Sequence, residues 1–266
     1  MEKVVLDGVM ETLLIPLFIR AKDAKSDKPF VNDKKALEIL EKIDYDFEKF
    51  DTAIGSYFGT LSRVSAMDKE VEKFIKKHPY AKIVSIGCGF DSRFERIDNG
   101  KIEWYNLDFP EVIELRKRLF DEHERVINIA SSALNPAWTK EVKKDNRPLL
   151  IVSEGVLMYL SEEEVKTLLT ILTTSFKDFE AHFDLLYKRL VNKGGKHDTV
   201  KHTKAEFRFG VTNGQELVEL NPRLRQIGLI NFTTEMRKQK LGLFRLLVPF
   251  FYIVHDRLGK YTYHRE

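Results

Sequence analysis

An apolar, β-branched run, Ile83-Val84-Ser85-Ile86, passes without a break into Gly87-Cys88-Gly89-Phe90-Asp91, and Asp108 stands 21 residues after Gly87. This stretch constrains the fold more than any other. A short run of that kind, begun at Ala81, reads as a strand buried on both faces, as in a parallel sheet. Glycines at its end let backbone approach a ligand where a Cβ would collide. A carboxylate at the end of the next strand is placed to accept hydrogen bonds from a ribose diol. Taken alone, Gly-x-Gly fits a plain tight turn between strand and helix equally well.

The flanking segments extend the pattern. Residues 103–107, 149–152 and 181–187 read as further strands, and 229–233 and 255–264 as the last ones. Pro110 and Glu111 open a helix over 109–120, since proline suits a first helical turn and an acid suits its positive end. Ser161, followed three residues later by Glu164, forms a capping box before an apolar helix face of Val165, Leu168, Leu169 and Leu172. Strands alternating with helices predict an α/β fold with a doubly wound, mostly parallel sheet. Before residue 79 the signal is helical: Leu37, Leu40, Ile43 and Phe47 recur at steps of three and four, and Val71, Phe74 and Ile75 do so again. The expected organisation is a helical N-terminal extension or lid over residues 1–78 and one compact ligand-binding domain over 79–266. Residues 191–204, with Gly194-Gly195 and several Lys and His, read as an exposed, mobile loop. Residues 241–254 read as a buried or amphipathic helix.

Composition removes several function classes. The 44 Lys and Arg nearly cancel 41 Asp and Glu, so the chain lacks the basic excess of a dedicated nucleic-acid binder. The lone cysteine, Cys88, can make neither an internal disulfide nor a multi-thiolate zinc site, and no metal is expected. The apolar run at 13–19 contains Pro16 and lacks a basic lead-in, and 241–254 is broken by Arg245 and Pro249 and falls short of a roughly 20-residue span. A cytoplasmic protein without membrane contact is expected.

Two cofactor classes share the strand–glycine–acid layout. A dinucleotide site wants a third small residue where this chain has Ser92, and Asp91 would oppose a pyrophosphate. S-adenosylmethionine carries a sulfonium and an amino group, and a carboxylate at Asp91 suits it better. An NAD-dependent oxidoreductase is therefore the weaker reading.

Four segments then act together: residues 86–93 (Ile-Gly-Cys-Gly-Phe-Asp-Ser-Arg), 107–112 (Leu-Asp-Phe-Pro-Glu-Val), 153–160 (Ser-Glu-Gly-Val-Leu-Met-Tyr-Leu) and 11–17 (Glu-Thr-Leu-Leu-Ile-Pro-Leu), the last followed by Arg20, Ala21, Asp33 and Ala36. In this order they resemble the leucine carboxyl methyltransferase family. The likeness is stronger to its bacterial branch, typified by a tetracenomycin polyketide O-methyltransferase, and spans roughly residues 6–190. The resemblance implies a Rossmann-like class I methyltransferase with a seven-stranded sheet, S-adenosylmethionine as cofactor and a small-molecule acceptor. It implies that Arg63 holds the cofactor carboxylate, in keeping with the bidentate fork a guanidinium offers. Gly87 meets the methionine moiety, Asp108 the ribose, and Glu154 lies beside the cofactor; Gly89 and Asp91 of the same turn are counted with them as cofactor-binding. Many relatives place an acid near residues 131–135 against the adenine amine; here Trp138 is kept but Ser132 and Asn135 stand in the region, and Ser132 is assigned the contact.

Methyl transfer from a sulfonium needs mainly alignment and dryness. A carboxylate acceptor requires no base, whereas a hydroxyl benefits from one. His182, His197 and His202 are available, but no constellation selects one, so the catalytic residue stays unassigned. Arg20 and Tyr159 are weaker candidates for the acceptor site. Methylation of a protein C-terminal carboxylate and cofactor binding without catalysis are the alternatives within this fold. Oligomeric state is not readable.

Overall fold

The computed structural model describes residues 2–3 and 8–265. Seven strands form the main sheet: β1 (Lys82–Ile86), β2 (Glu103–Asp108), β3 (Val126–Ala130), β4 (Leu149–Ser153), β5 (Asp178–Leu185), β6 (Arg225–Asn231) and β7 (Arg257–His264). Their order is β3-β2-β1-β4-β5-β7-β6. The first five run parallel, and β7 is antiparallel to both β5 and β6. This is the mostly parallel, doubly wound sheet expected.

Burial explains why the central strands read so clearly. Every residue of β1 and of β4 is buried, so both are near-continuous apolar runs. The one charged residue among them, Lys82, sends its ammonium out to Asp145 at 2.8 Å while its stem stays inside. Side chains alternate between two covered faces. Val84, Ile86 and Leu107 pack against Leu168, Leu169 and Leu172 of helix Glu162–Ser175. Ile83, Trp104, Leu150 and Val152 pack against Met67, Val71 and Phe74 of helix Ile54–Lys77. The sheet's second face is thus covered by a helix from the N-terminal part of the chain. The capping box forms as expected, with Ser161 and Glu164 bonding each other's backbone.

A third layer lies above the carboxyl ends of the strands. Helix Leu14–Ala24 and helix Lys34–Lys42 pack together with Phe50, Leu115, Met158, Leu186 and Phe207. Three expectations need correction. Strand β3 was not among the strands read from sequence, since only Ile129 of its five residues is fully buried; Asn106 donates to Asn128 at 3.0 Å on this half-buried outer strand. Residues 191–204 are pinned rather than free, since Asp198 accepts from the backbone N–H of Ser56 at 3.0 Å and from its hydroxyl. Residues 241–254 are amphipathic rather than buried: a 3-10 turn, Gly242–Leu247, leads into a short helix, Val248–Val254, with much apolar surface exposed.

Candidate active site

Strand order reverses between β1 and β4, and ligands of such sheets bind outside the carboxyl ends of the strands at that point. A cleft of about 1130 Å³ opens there. Arg20, Arg63, Gly87, Gly89, Asp91, Asp108, Ser132, Glu154 and Tyr159 all lie on its wall.

The glycine turn is held by its neighbours. Gly87 and Gly89 have φ of 63° and 46°, in the left-handed region that disfavours side chains. A Cβ on Gly87 would sit 2.3 Å from Cγ2 of Val156, and one on Gly89 would sit 2.7 Å from Cδ2 of Leu13. Asp108 accepts from the N–H of Gly89 at 2.7 Å and of Phe109 at 2.8 Å, one donor per oxygen. Each oxygen keeps a lone pair, and burial pushes the carboxyl above its ordinary range. Arg116 closes the turn from behind, donating to the carbonyls of Gly89 and Asp91 at 2.7 and 2.9 Å.

On the opposite wall, the buried indole of Trp138 donates to the carbonyl of Ala133 at 3.1 Å and braces residues 131–134. Ser132 faces the cleft, whereas Asn135 turns away to cap the backbone N–H of Ala137.

The floor is a network of charges. Arg93, 1% exposed, binds Asp68 and Asp91 at 2.6 Å each, and Glu154. Asp91 is also 3.3 Å from Arg20 and from Arg96. Burial alone would raise its carboxyl, but Arg93, Arg96 and Arg20 hold it well below the usual range. This corrects the argument made for Asp91 from sequence: its charge is already balanced by arginines rather than left to face a cationic ligand. Arg20 is likewise committed within the protein. Its guanidinium donates to the carbonyl of Phe90 at 2.7 Å and pairs with Asp33 at 3.2 Å, tying helix 14–24 to the glycine turn rather than offering itself to an acceptor. Nothing local in the sequence marked Arg93, Arg96 or Asp68 as partners, because their pairing is set by the fold.

Arg63 donates from Nε to Glu154 at 2.9 Å, with Asp184 3.3 Å from Nη1, and keeps part of its surface in the cleft. Asp184 is fully buried, accepts from the N–H of Gly155 at 3.0 Å, and leaves Oδ1 without a partner. Burial, helped by Asp256 and Glu154 and opposed by Arg63, pushes its carboxyl up to about 7. A raised folded-state value means that the site's contribution to stability is largest at low pH and fades as pH climbs towards 7. Relative to Asp184→Asn, which carries no charge, the wild type is expected to lose melting temperature from about pH 4 to about pH 7. A difference that stays flat across that window in parallel melting curves contradicts this assignment.

Of the histidines, His182 is buried within the sheet against Glu180 at 2.7 Å, and His202 packs edge-on to Phe50; neither lines the cleft. His197 and His255 do. Burial lowers both, His255 to about 4, so both are neutral at pH 7. His255, Asp256 and Asp184 were not singled out from sequence, since Asp184 lies in β5 and the other two just before β7, and only folding brings them beside Arg63 and the cleft. The Tyr159 ring packs on Phe207 at 5.8 Å. Among the described residues no group of three or more His, Cys, Asp or Glu is arranged to hold a metal ion.

Comparison with known proteins agrees with this geometry. The family model described as leucine carboxyl methyltransferase matches residues 14–173. The chain is 33% identical over 225 residues to the tetracenomycin polyketide synthesis O-methyltransferase TcmP of Streptomyces glaucescens, covering 84% of this chain and 83% of that protein. It is 34% identical to the S-adenosyl-L-methionine-dependent methyltransferase dpfgK of Gibberella zeae, over 66% of this chain and 64% of that one. In fold it matches magnesium protoporphyrin IX methyltransferase from Synechocystis with bound S-adenosylhomocysteine, with a TM-score of 0.51, 10% identity, and 88% and 94% of the two chains covered. A strand–glycine–acid cleft at the switch point of a methyltransferase-type sheet, within a chain so related, means that this protein belongs to the leucine carboxyl methyltransferase family and is an S-adenosylmethionine-dependent methyltransferase.

Proposed function

We propose that the protein transfers the methyl group to an oxygen, carboxylate or hydroxyl, of a small and largely apolar molecule. The supporting observation is the chemistry of the cleft beyond the glycine turn. Met158, Tyr159, Leu186, Leu190 and Phe207 form an apolar chamber with Arg189 and Lys193 on its wall. Nearby acids are engaged: Glu164 caps its helix and lies 3.2 Å from Arg208, and Asp198 binds Ser56. Arg189 and Lys193 have no ion-pair partner among the described residues. That combination suits an apolar body bearing an anionic oxygen. The tetracenomycin relative, an O-methyltransferase by name, supports the same reading.

The residues present fit S-adenosylmethionine. Gly87 and Gly89 leave a backbone cradle that side chains would fill, and Asp108 has an open lone pair on each oxygen for a ribose diol. Arg63 would take the cofactor carboxylate, Glu154 would lie beside the amino group, and Ser132 would meet the adenine. When bound, the cofactor supplies an electrophilic methyl on a sulfonium that departs as a neutral thioether. The chain's own work is positioning. Leu13 and Pro16 from the N-terminal lid and Thr199 and Val200 from the pinned loop wall the chamber, exclude water and orient the acceptor oxygen. A carboxylate then reacts without a base. For a hydroxyl, His255 is the histidine placed to take the proton, since its Nδ1 lies 3.3 Å from the carbonyl of Asp256 and leaves Nε2 free of it, although burial weakens it as a base.

The test is incubation with methyl-labelled S-adenosylmethionine and a panel of apolar carboxylic acids, phenols, amines and a peptide ending in a free leucine carboxylate. Label is expected on an acid, as a base-labile ester, or on a phenol, as a stable ether. Label on the peptide alone, or on amines alone, overturns the proposal.

A further inference from the structure

The greatest exposure of large apolar side chains is concentrated in one segment. Leu243 is 87% exposed, Leu246 80% and Phe250 63%, with Leu247 and Tyr252 about half exposed. Positions 243, 246, 247 and 250 share one face of the helical run 242–254. The segment is anchored from behind, where Leu241 and Val248 cluster with Met236, Phe58, Phe244 and Phe251. Its outer face continues into the rest of the molecule. Leu243 and Leu247 share a groove of about 560 Å³ with exposed Ile54, and Phe250 stands with exposed Val9 at the catalytic cleft. Phe244, in the groove, stacks at 5.0 Å on Phe251, in the cleft, so the two openings adjoin.

Contiguous apolar exposure of this kind marks an interaction surface, and the charges around it identify the partner. Residues 236–255 contain Arg237, Lys238, Lys240 and Arg245 and no Asp or Glu. All four cations are exposed. Arg237 lies over the ring of Tyr252 at 5.7 Å, joining the basic rim to the aromatic face. Lys238 is paired with Glu235, but Lys240 and Arg245 have no ion-pair partner among the described residues. A second copy seated on this face would bring two cationic rims together. An apolar and aromatic face bounded by uncompensated cations fits the headgroup layer of an anionic bilayer instead.

We propose that residues 237–252 dock the protein on anionic membrane surfaces, with the mouth of the cleft at the lipid boundary. This amends the expectation of no membrane contact without implying a span: among the described residues no helix is long and apolar enough to cross a bilayer. The docking does not depend on which acceptor the enzyme methylates.

The test is flotation of the full chain with vesicles of phosphatidylcholine alone or mixed with phosphatidylglycerol. Binding to the mixed vesicles is expected, with little to the neutral ones and release at high salt. Lys240→Glu with Arg245→Glu, and separately Leu243→Asp with Leu246→Asp, should each weaken partition about tenfold or more. None of these four residues lines the cleft, so melting temperature and S-adenosylhomocysteine affinity should be unchanged, which separates failure of docking from failure of the cofactor site. No flotation with mixed vesicles, equal binding to neutral vesicles, or a dimer in light scattering that Leu246→Asp dissolves and vesicles leave intact each overturns the proposal.

Discussion

Gly87→Ala is expected to destabilise the protein by about 2–5 kcal/mol and to weaken S-adenosylhomocysteine binding by about tenfold or more. Two independent costs add. An L-residue at φ 63° carries roughly 1–2 kcal/mol of strain. The new Cβ also falls 2.3 Å from Cγ2 of Val156, and a β-branched side chain has little rotamer freedom with which to yield. Val156 follows Glu154 and Gly155 directly, so the clash pushes apart the two strand ends that form the cleft. Gly100→Ala is the matched control, with φ 79° and nothing within 4 Å of its added Cβ. It should show the strain alone, about 1–2 kcal/mol, with cofactor affinity intact. Melting curves and calorimetry on both variants decide the matter; equal effects of the two substitutions would mean that Gly87 is kept for its turn and not for the cleft.

Arg93→Met is expected to be the most damaging single substitution in the charged floor, costing about 3–5 kcal/mol and lowering the melting temperature on the order of 10 °C. Arg93 is 1% exposed and serves Asp68, Asp91 and Glu154 at once. Its removal leaves three largely buried carboxylates short of positive charge, and Glu154 loses one of the two guanidinium partners that orient it beside Arg63. Arg93→Lys keeps the charge but replaces a planar fork with a single point, so it should recover only part of the loss. Wild-type stability in the methionine variant, measured by thermal and urea unfolding, would contradict the role given to this network.

How much of this was legible beforehand follows from how local each signal is. Strands β1 and β4 are apolar on both faces and the capping box is a pattern of four residues, so sequence alone reveals them. The Gly-x-Gly turn and Asp108 are equally local, being the ends of two adjacent strands. By contrast, β3 is a short outer strand in which only Ile129 is fully buried, and β6, read from the sequence at 229–233, runs over 225–231, with Ile227 and Leu229 exposed and a bulge between Gln226 and Gly228 obscuring its start. The charged floor joins residues far apart in the chain, such as Arg63 with Glu154, 91 positions on, and no spacing rule foretells that. Asp91 shows the consequence: its position was read correctly and its electrostatics were not, because the arginines that neutralise it are chosen by the fold. Exposure of the 241–254 face was also illegible, since periodicity reveals an amphipathic helix without saying whether its apolar side meets the core.

The central claim is that the cleft beside the glycine turn holds S-adenosylmethionine through Asp108. Calorimetric titration with S-adenosylhomocysteine and with NAD, on the wild type and on Asp108→Ala, tests it most directly. S-adenosylhomocysteine should bind and NAD should not, and ligand at about 100 times its dissociation constant should stabilise the wild type by roughly 2.7 kcal/mol. The alanine variant should remain folded with that binding largely lost. A folded wild type that ignores S-adenosylhomocysteine, or an Asp108→Ala variant that binds it as tightly, would contradict the account.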